Sequence, residues 1–183
     1  MAHAGQVLEN PVSGERIVFR ETAGDTGGEL LAIDLELSPD GHAPGVHIHP
    51  LQQERFEVVS GRIRFRKGLR TAIAEPGDVV VVPPGTAHAF ANAGPGEARA
   101  RVEVRPALRM EELFETAVAL AGEGRTTRRG LPRPLDLALF VGEYRDEVHG
   151  AFPPAWLQRA ALAPLAWLAR RRGRAARYAP APA

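Results

Sequence analysis

Two stretches of this chain hold glycine, proline, histidine and a carboxylate at fixed intervals, and those intervals restrict its fold more than any other feature. The first runs Gly41, five residues, His47, one residue, His49, four residues, Glu54, six residues, Gly61. The second runs Gly77, five residues, Pro83, one residue, Gly85, two residues, His88, three residues, Asn92. Glycine and Pro-x-Gly supply tight turns at the frame ends. Residues two apart on an extended strand point the same way, so His47 and His49 share a side while Ile48 points opposite. Glu54 lies beyond the turn-like Pro50-Leu51-Gln52-Gln53 and can return to the same place. One His-x-His alone carries little weight. Four donors in two independent frames describe short strands aiming side chains at one centre.

The rest of the chain up to Pro106 agrees with that reading. Short runs rich in Val, Ile, Leu and Phe alternate with Gly, Pro, Asp and Asn: Arg16–Arg20, Glu29–Leu37, Phe56–Val59, Arg62–Arg66, Val79–Val82 and Arg99–Val104. Leu31, Ile33, Leu35 and Leu37 share one face, as do Ala100, Val102 and Val104. The opposite face of the latter run, with Arg99, Arg101, Glu103 and Arg105, reads as solvated. Val79–Val82 is apolar throughout and reads as covered on both sides. Many short strands at close spacing predict a sandwich or small barrel.

After Pro106 the period becomes helical. Met110–Ala121 puts Leu113, Ala117, Leu120 and Ala121 on one stripe, with Glu111 and Glu112 in the favourable first turn. Arg125–Pro134 reads as a loop. A second helix is expected from Leu135 to about His149, and a third apolar stretch spans Ala155–Ala169, interrupted by Gln158, Arg159 and Pro164. The tail, Arg170–Ala183, is basic and then Ala/Pro-rich, and is expected to fray. The division is therefore residues 1–106 as a β unit and 107–183 as a helical extension. Trp156, Leu157, Leu162, Leu165, Trp167 and Leu168 are too apolar to stay solvated together. They are expected to pack on the β unit, cap its mouth or form a homodimer contact, rather than lie on a membrane.

Composition narrows the chemistry. There is no cysteine, which excludes disulfides, thiolate ligands and cysteine nucleophiles. Any metal must sit on nitrogen and oxygen. The net charge of +1 gives no field for nucleic acid. Hydrophobic residues at 44% and charged residues at 25% suit an ordinary globular domain, and 183 residues allow one core. The first residues lack a charged segment leading into an apolar one, and no stretch of about 18 apolar residues exists. The expectation is a cytoplasmic protein without membrane contact.

The two frames resemble the paired motifs of the cupin superfamily, in its short single-domain, metal-binding, quercetinase-like bacterial form. The resemblance covers about residues 28–106, and the short gap Arg62–Pro76 suits compact microbial members. It implies a mainly β fold, a double-stranded β-helix or jelly-roll barrel, here followed by the helical extension. It implies His47, His49, Glu54 and His88 as ligands of one divalent transition metal, with Asn92 and the frame glycines serving structure. Three imidazoles and one carboxylate leave about two positions open on an octahedral ion, which suits Fe, Mn, Ni or Co, with Zn and Cu also open. Glu54 is the candidate catalytic residue, as a ligand able to leave the metal and take a proton.

By alternation, Phe56 and Val58 point with Glu54, Phe90 points with His88, and Ile63 and Phe65 stand on the neighbouring strand. These five residues either line an apolar substrate pocket or simply fill the core. Gln52 and Gln53 stand beside the site, as ligand contacts or as exposed loop residues. His3, His42 and His149 read as surface residues. An apolar pocket favours a small hydrophobic or aromatic molecule. The leading reading is a small-molecule oxygenase. A metal-dependent isomerase or epimerase, and a non-catalytic metal-dependent binder of a small molecule, are the competing readings.

Overall fold

The computed structural model describes residues 2–178. In chain order the elements are β1 (Val7–Asn10), β2 (Glu15–Glu21), a short α1 (Ala23–Thr26), β3 (Leu31–Leu37), β4 (His47–Ile48), β5 (Gln53–Ser60), β6 (Ile63–Lys67), β7 (Arg70–Ala74), β8 (Val79–Val82), β9 (His88–Asn92) and β10 (Ala98–Arg105). The extension then supplies α2 (Met110–Gly122), α3 (Pro134–Glu143), β11 (His149–Gly150), α4 (Ala155–Arg171) and a 3₁₀ turn, Arg174–Tyr178.

The strands form a six-stranded sheet, β1-β2-β3-β10-β5-β8, and a five-stranded sheet, β11-β4-β9-β6-β7. Both have free edges. The ladders therefore give two open sheets rather than the continuous closed barrel expected. Leu31, Ile33, Leu35 and Leu37 are all buried, as are Ala98, Ala100, Val102 and Val104 on the paired β10. The alternation has thus put both sets on one face. The sheets meet through aromatic rings: Phe56 on β5 lies 5.1 Å from Phe65 and 5.4 Å from Phe90, centroid to centroid.

Two frame glycines sit where no side chain fits. A Cβ on Gly61, whose φ is +73°, would stand 2.6 Å from Glu97 O and from Ala98 Cα. On Gly41 it would stand 2.8 Å from Ser38 N and 2.9 Å from Gly14 O. Asn92 is structural, its Nδ2 donating to Leu37 O, Ser38 O and Gly96 O.

Four expectations change. β8 is not covered on both sides: it is an edge strand, and Val79 and Val81 are 47% and 37% exposed. The second helix ends at Glu143 rather than near His149, because His149–Gly150 instead pairs with β4. α4 continues through Pro164. The carbonyl that proline leaves unpaired, four residues earlier at exposed Ala160, can be met by water. The tail does not fray up to Tyr178. Arg174 binds the fully buried Asp136 at 2.8 Å, and buried Tyr178 donates its hydroxyl to Asp136 O at 3.1 Å. The remainder of that expectation, residues 179–183, lies outside the described residues.

On α4, Ala166 and Ala169 are buried and Leu162 and Leu165 pack on the core. Trp156 and Trp167 do not pack there: they are 65% and 55% exposed. Arg171 covers the Trp167 ring at 4.2 Å. Among the described residues no helix is long and apolar enough to cross a membrane.

Candidate metal centre

Four side chains converge where the two sheets face each other. His47 and His88 are direct cross-strand partners on β4 and β9 of the five-stranded sheet. His49 follows β4, two residues on and on the same side. Glu54 comes from β5 of the other sheet, flanked by Val104 and Val82. One candidate ligand atom from each residue lies within 4.8 Å of the other three. Glu54 Oε2 is 2.6 Å from His88 Nε2, and Oε1 is 3.5 Å from His49 Nε2. His49, Glu54 and His88 are buried, and His47 is half-buried.

Each imidazole is turned by a backbone carbonyl. His47 Nδ1–H donates to Gly45 O at 3.1 Å, His88 Nδ1–H to Thr86 O at 3.1 Å and His49 Nδ1–H to Glu147 O at 2.5 Å. A carbonyl only accepts, so the Nδ1 atoms carry the protons and, in the neutral rings, every Nε2 is left with a lone pair. Those lone pairs face the cluster. His49 Nε2, His88 Nε2 and Glu54 Oε2 are buried with no hydrogen-bond partner in that state. The 2.6 Å approach of His88 Nε2 to Glu54 Oε2 sets two acceptors against each other, which requires a proton or a cation between them. A divalent metal fits that requirement, and carbonyl-oriented Nδ1–H groups are the usual support for metal-binding imidazoles. Among the described residues this is the single such cluster, and it suits one divalent transition metal.

The charges agree with the geometry. Burial, together with the neighbouring His49 and His88, pulls His47 down to about 3, so it is neutral near pH 7. Burial pushes Glu54 up, but His49 and His88 outweigh it and hold the carboxyl at about 2. Burial pulls His88 down, and the adjacent Glu54 carboxylate more than reverses this, leaving it raised. The cluster is thus an anion facing three imidazoles, with one proton favoured where a cation would sit.

A cavity of about 640 Å³ opens onto His47, His49 and Glu54. Its walls are mostly apolar. Phe56 and Phe90 line it. Val58, Ile63 and Phe65 do not: they are buried behind it, Phe65 against the Phe56 and Phe90 rings. Alternation correctly turns all five residues inward, but it does not set how far each lies from the opening. The extension covers the rest, with Met110, Leu113, Phe140, Val141, Val148 and Leu162 on the wall.

Sequence reading missed several participants. Glu147, whose carbonyl orients His49, lies 98 residues away in the extension. His149 is half-buried on the cavity wall rather than at the surface, because β11 pairs with β4. Asn10 and Glu15 also line the cavity. No local pattern marks any of these. Gln52 faces away from a ligand role: it is buried, and its amide donates to Pro106 O and Ala107 O, tying the frame to the start of the extension. Gln53 is exposed.

Comparison with known proteins agrees with the fold. Residues 34–104 match the family model of the cupin domain. A predicted oxalate decarboxylase from Thermotoga maritima is 17% identical, with 56% of this chain aligned to 92% of that one at a TM-score of 0.50. The Cnp3 cupin domain of Schizosaccharomyces pombe is 15% identical over 55% of this chain and 68% of its own, with a TM-score of 0.48. KdgF from Halomonas sp. is 17% identical over 54% and 86%, also at 0.48. No curated protein matches in sequence. Residues 34–104 are thus similar to a cupin domain, and the chain carries a His/Glu cluster that suits one divalent metal.

Proposed function

We propose that this protein is a mononuclear metal-dependent oxygenase acting on a small, largely apolar molecule that presents an enol- or catechol-type oxygen. The observation that carries the reading is a mainly apolar cavity of about 640 Å³ with the His47–His49–Glu54 side of the cluster in its wall. An apolar enclosure with a few convergent polar groups selects a hydrophobic ligand and fixes its one polar end. Under this reading His47, His49, Glu54 and His88 hold the metal, and residues 107–183 act as a unit that covers the cavity of residues 1–106.

When bound, the metal supplies Lewis acidity toward the substrate oxygen and a place for O₂. The chain's own residues do the rest. Phe56 and Phe90 hold the apolar body of the substrate. The carbonyls of Gly45, Thr86 and Glu147 keep the imidazoles aimed. The extension excludes water, which strengthens every charge interaction inside. Glu54 receives the substrate's hydroxyl proton.

Elemental analysis of protein purified without chelator, followed by anaerobic mixing with enols and catechols and then O₂ uptake, tests the reading. Stoichiometric metal with substrate-dependent O₂ consumption that is lost in Glu54→Gln supports it. Turnover without O₂ consumption replaces it with an isomerase, and tight capture without turnover replaces it with a binding protein.

A further inference from the structure

The inner wall of the six-stranded sheet is apolar except at two corners. At one, Glu54 on β5 enters the metal cluster. At the other, Asn10 on β1 and Glu15 on β2 are direct cross-strand partners and so share a face. Alternation puts Glu15 with Ile17 and Phe19, both buried. Asn10, Glu15 and Glu54 all line the one cavity, with Ile17, Leu35 and Val102 on the wall between them. From β2 through β3 and β10 to β5 is three inter-strand steps, a span of about 14 Å.

Both residues of the far corner keep a polar atom in reserve. Asn10 is 6% exposed, and its Oδ1 accepts from the N–H groups of Val12 and Ser13 at 3.0 and 3.1 Å. Those bonds fix the amide and leave Nδ2 with no partner among the described residues. Glu15 Oε2 accepts from the Ser13 hydroxyl at 2.6 Å, and Oε1 has no partner among the described residues. The turn is held without Nδ2 or Oε1, and both residues line the cavity, so the two atoms are available to a ligand there. Burial lifts the Glu15 carboxyl to about 7, with Ser13 and the nearby His42 opposing. Near neutrality this carboxyl is therefore about half protonated, so it can donate to a polar group as well as accept from one.

We propose that Asn10 and Glu15 form a second recognition corner, which takes a hydroxyl or carboxamide at the far end of an elongated, otherwise apolar ligand. A hydroxyl donates and accepts, so it meets both reserved atoms. That the other end of the ligand lies at the metal cluster rests on the functional reading above.

The test uses the full chain loaded with Zn(II) and three probes followed by calorimetry: hydroxyhexyl-catechol, the matching heptyl-catechol, and octanol. The native protein is expected to prefer the hydroxyl-ended catechol over its methyl-ended twin by about tenfold, the scale of one hydrogen bond to a buried group. Glu15→Leu should erase that preference. Asn10→Asp, which keeps the acceptor that holds the turn and removes the donor, should reduce it, and Glu15→Gln should largely keep it. If Glu15→Leu does not fold, the other two variants still decide. Equal binding of the two catechols by native protein, a preference untouched by Glu15→Leu and Asn10→Asp, or no binding of any probe overturns the proposal. The metal end is read separately. If octanol affinity depends on Glu15 while the catechol ring adds nothing, the corner stands and the functional reading fails.

Discussion

Replacing Glu54 with glutamine in the metal-free protein keeps the side chain's size and removes the one negative charge among three imidazoles. Burial alone would raise the Glu54 carboxyl, yet His49 and His88 bring it from 4.5 to about 2. That fall corresponds to about 3 kcal/mol favouring the folded state. Because the folded value is the lower one, the contribution is complete above pH 4.5 and is lost as pH falls toward 2. His88 is the reciprocal partner. Its value is raised above 6.5, so its contribution is complete below pH 6.5 and is lost as pH rises through the folded value. Both statements describe one interaction and count once. The window in which it is fully present runs from about 4.5 to about 6.5. Glu54→Gln is therefore expected to cost about 3 kcal/mol at about pH 5.5 and clearly less at a pH above the raised folded value of His88, where the carboxylate has lost that cationic partner. Urea denaturation of chelator-treated native and variant protein at the two pH values measures it. A loss of equal size at both, or none at the lower pH, refutes the electrostatic account of the cluster.

Three further outcomes follow from the same structure. His47→Ala with His49→Ala removes two of the four donors, so metal content by elemental analysis should fall from about one ion per chain to none; unchanged content would place the metal elsewhere. Asp136 is fully buried between Arg125 and Arg174, whose side chains are 24% and 37% exposed. Asp136→Asn should cost about 2 kcal/mol, less than a wholly buried pair because both arginines reach water. Denaturant unfolding reads the loss, and faster proteolysis around Arg174 should accompany it; stability within error of native would mean that the C-terminal turn is held otherwise. Trp156→Ser with Trp167→Ser should change stability by no more than about 0.5 kcal/mol, since both rings are exposed in the single chain. A larger loss, with a lower mass in sedimentation, would show that a second copy covers them.

How much was legible in the chain depends on how local the cause is. β3 and β10 were readable because a strand's period of two is written in consecutive residues. The meeting of His47, His49, Glu54 and His88 was readable because each frame carries its own turns, and Gly41 and Gly61 occupy places where a Cβ would strike backbone. β1 and β7 have little apolar alternation, so nothing in their consecutive residues marks them as strands. β11 is only two residues long and has no period by which sequence could separate it from the helix before it.

Sequence alone was enough to establish a β domain whose two frames bring three imidazoles and a carboxylate together, with a helical continuation and no thiol chemistry. Periodicity states which side of an element a residue takes, relative to its neighbours. It does not state what stands opposite. Tertiary structure decided that Glu147 lends its carbonyl to His49, that Asn10 and Glu15 stand across the cavity wall from Glu54, and that Val58, Ile63 and Phe65 lie behind that wall. It also decided that Val79, Val81, Trp156 and Trp167 remain exposed. Each of these is a contact, or a missing contact, between segments distant in the chain, and such pairings are set by how whole sheets and helices pack rather than by any residue's near neighbours.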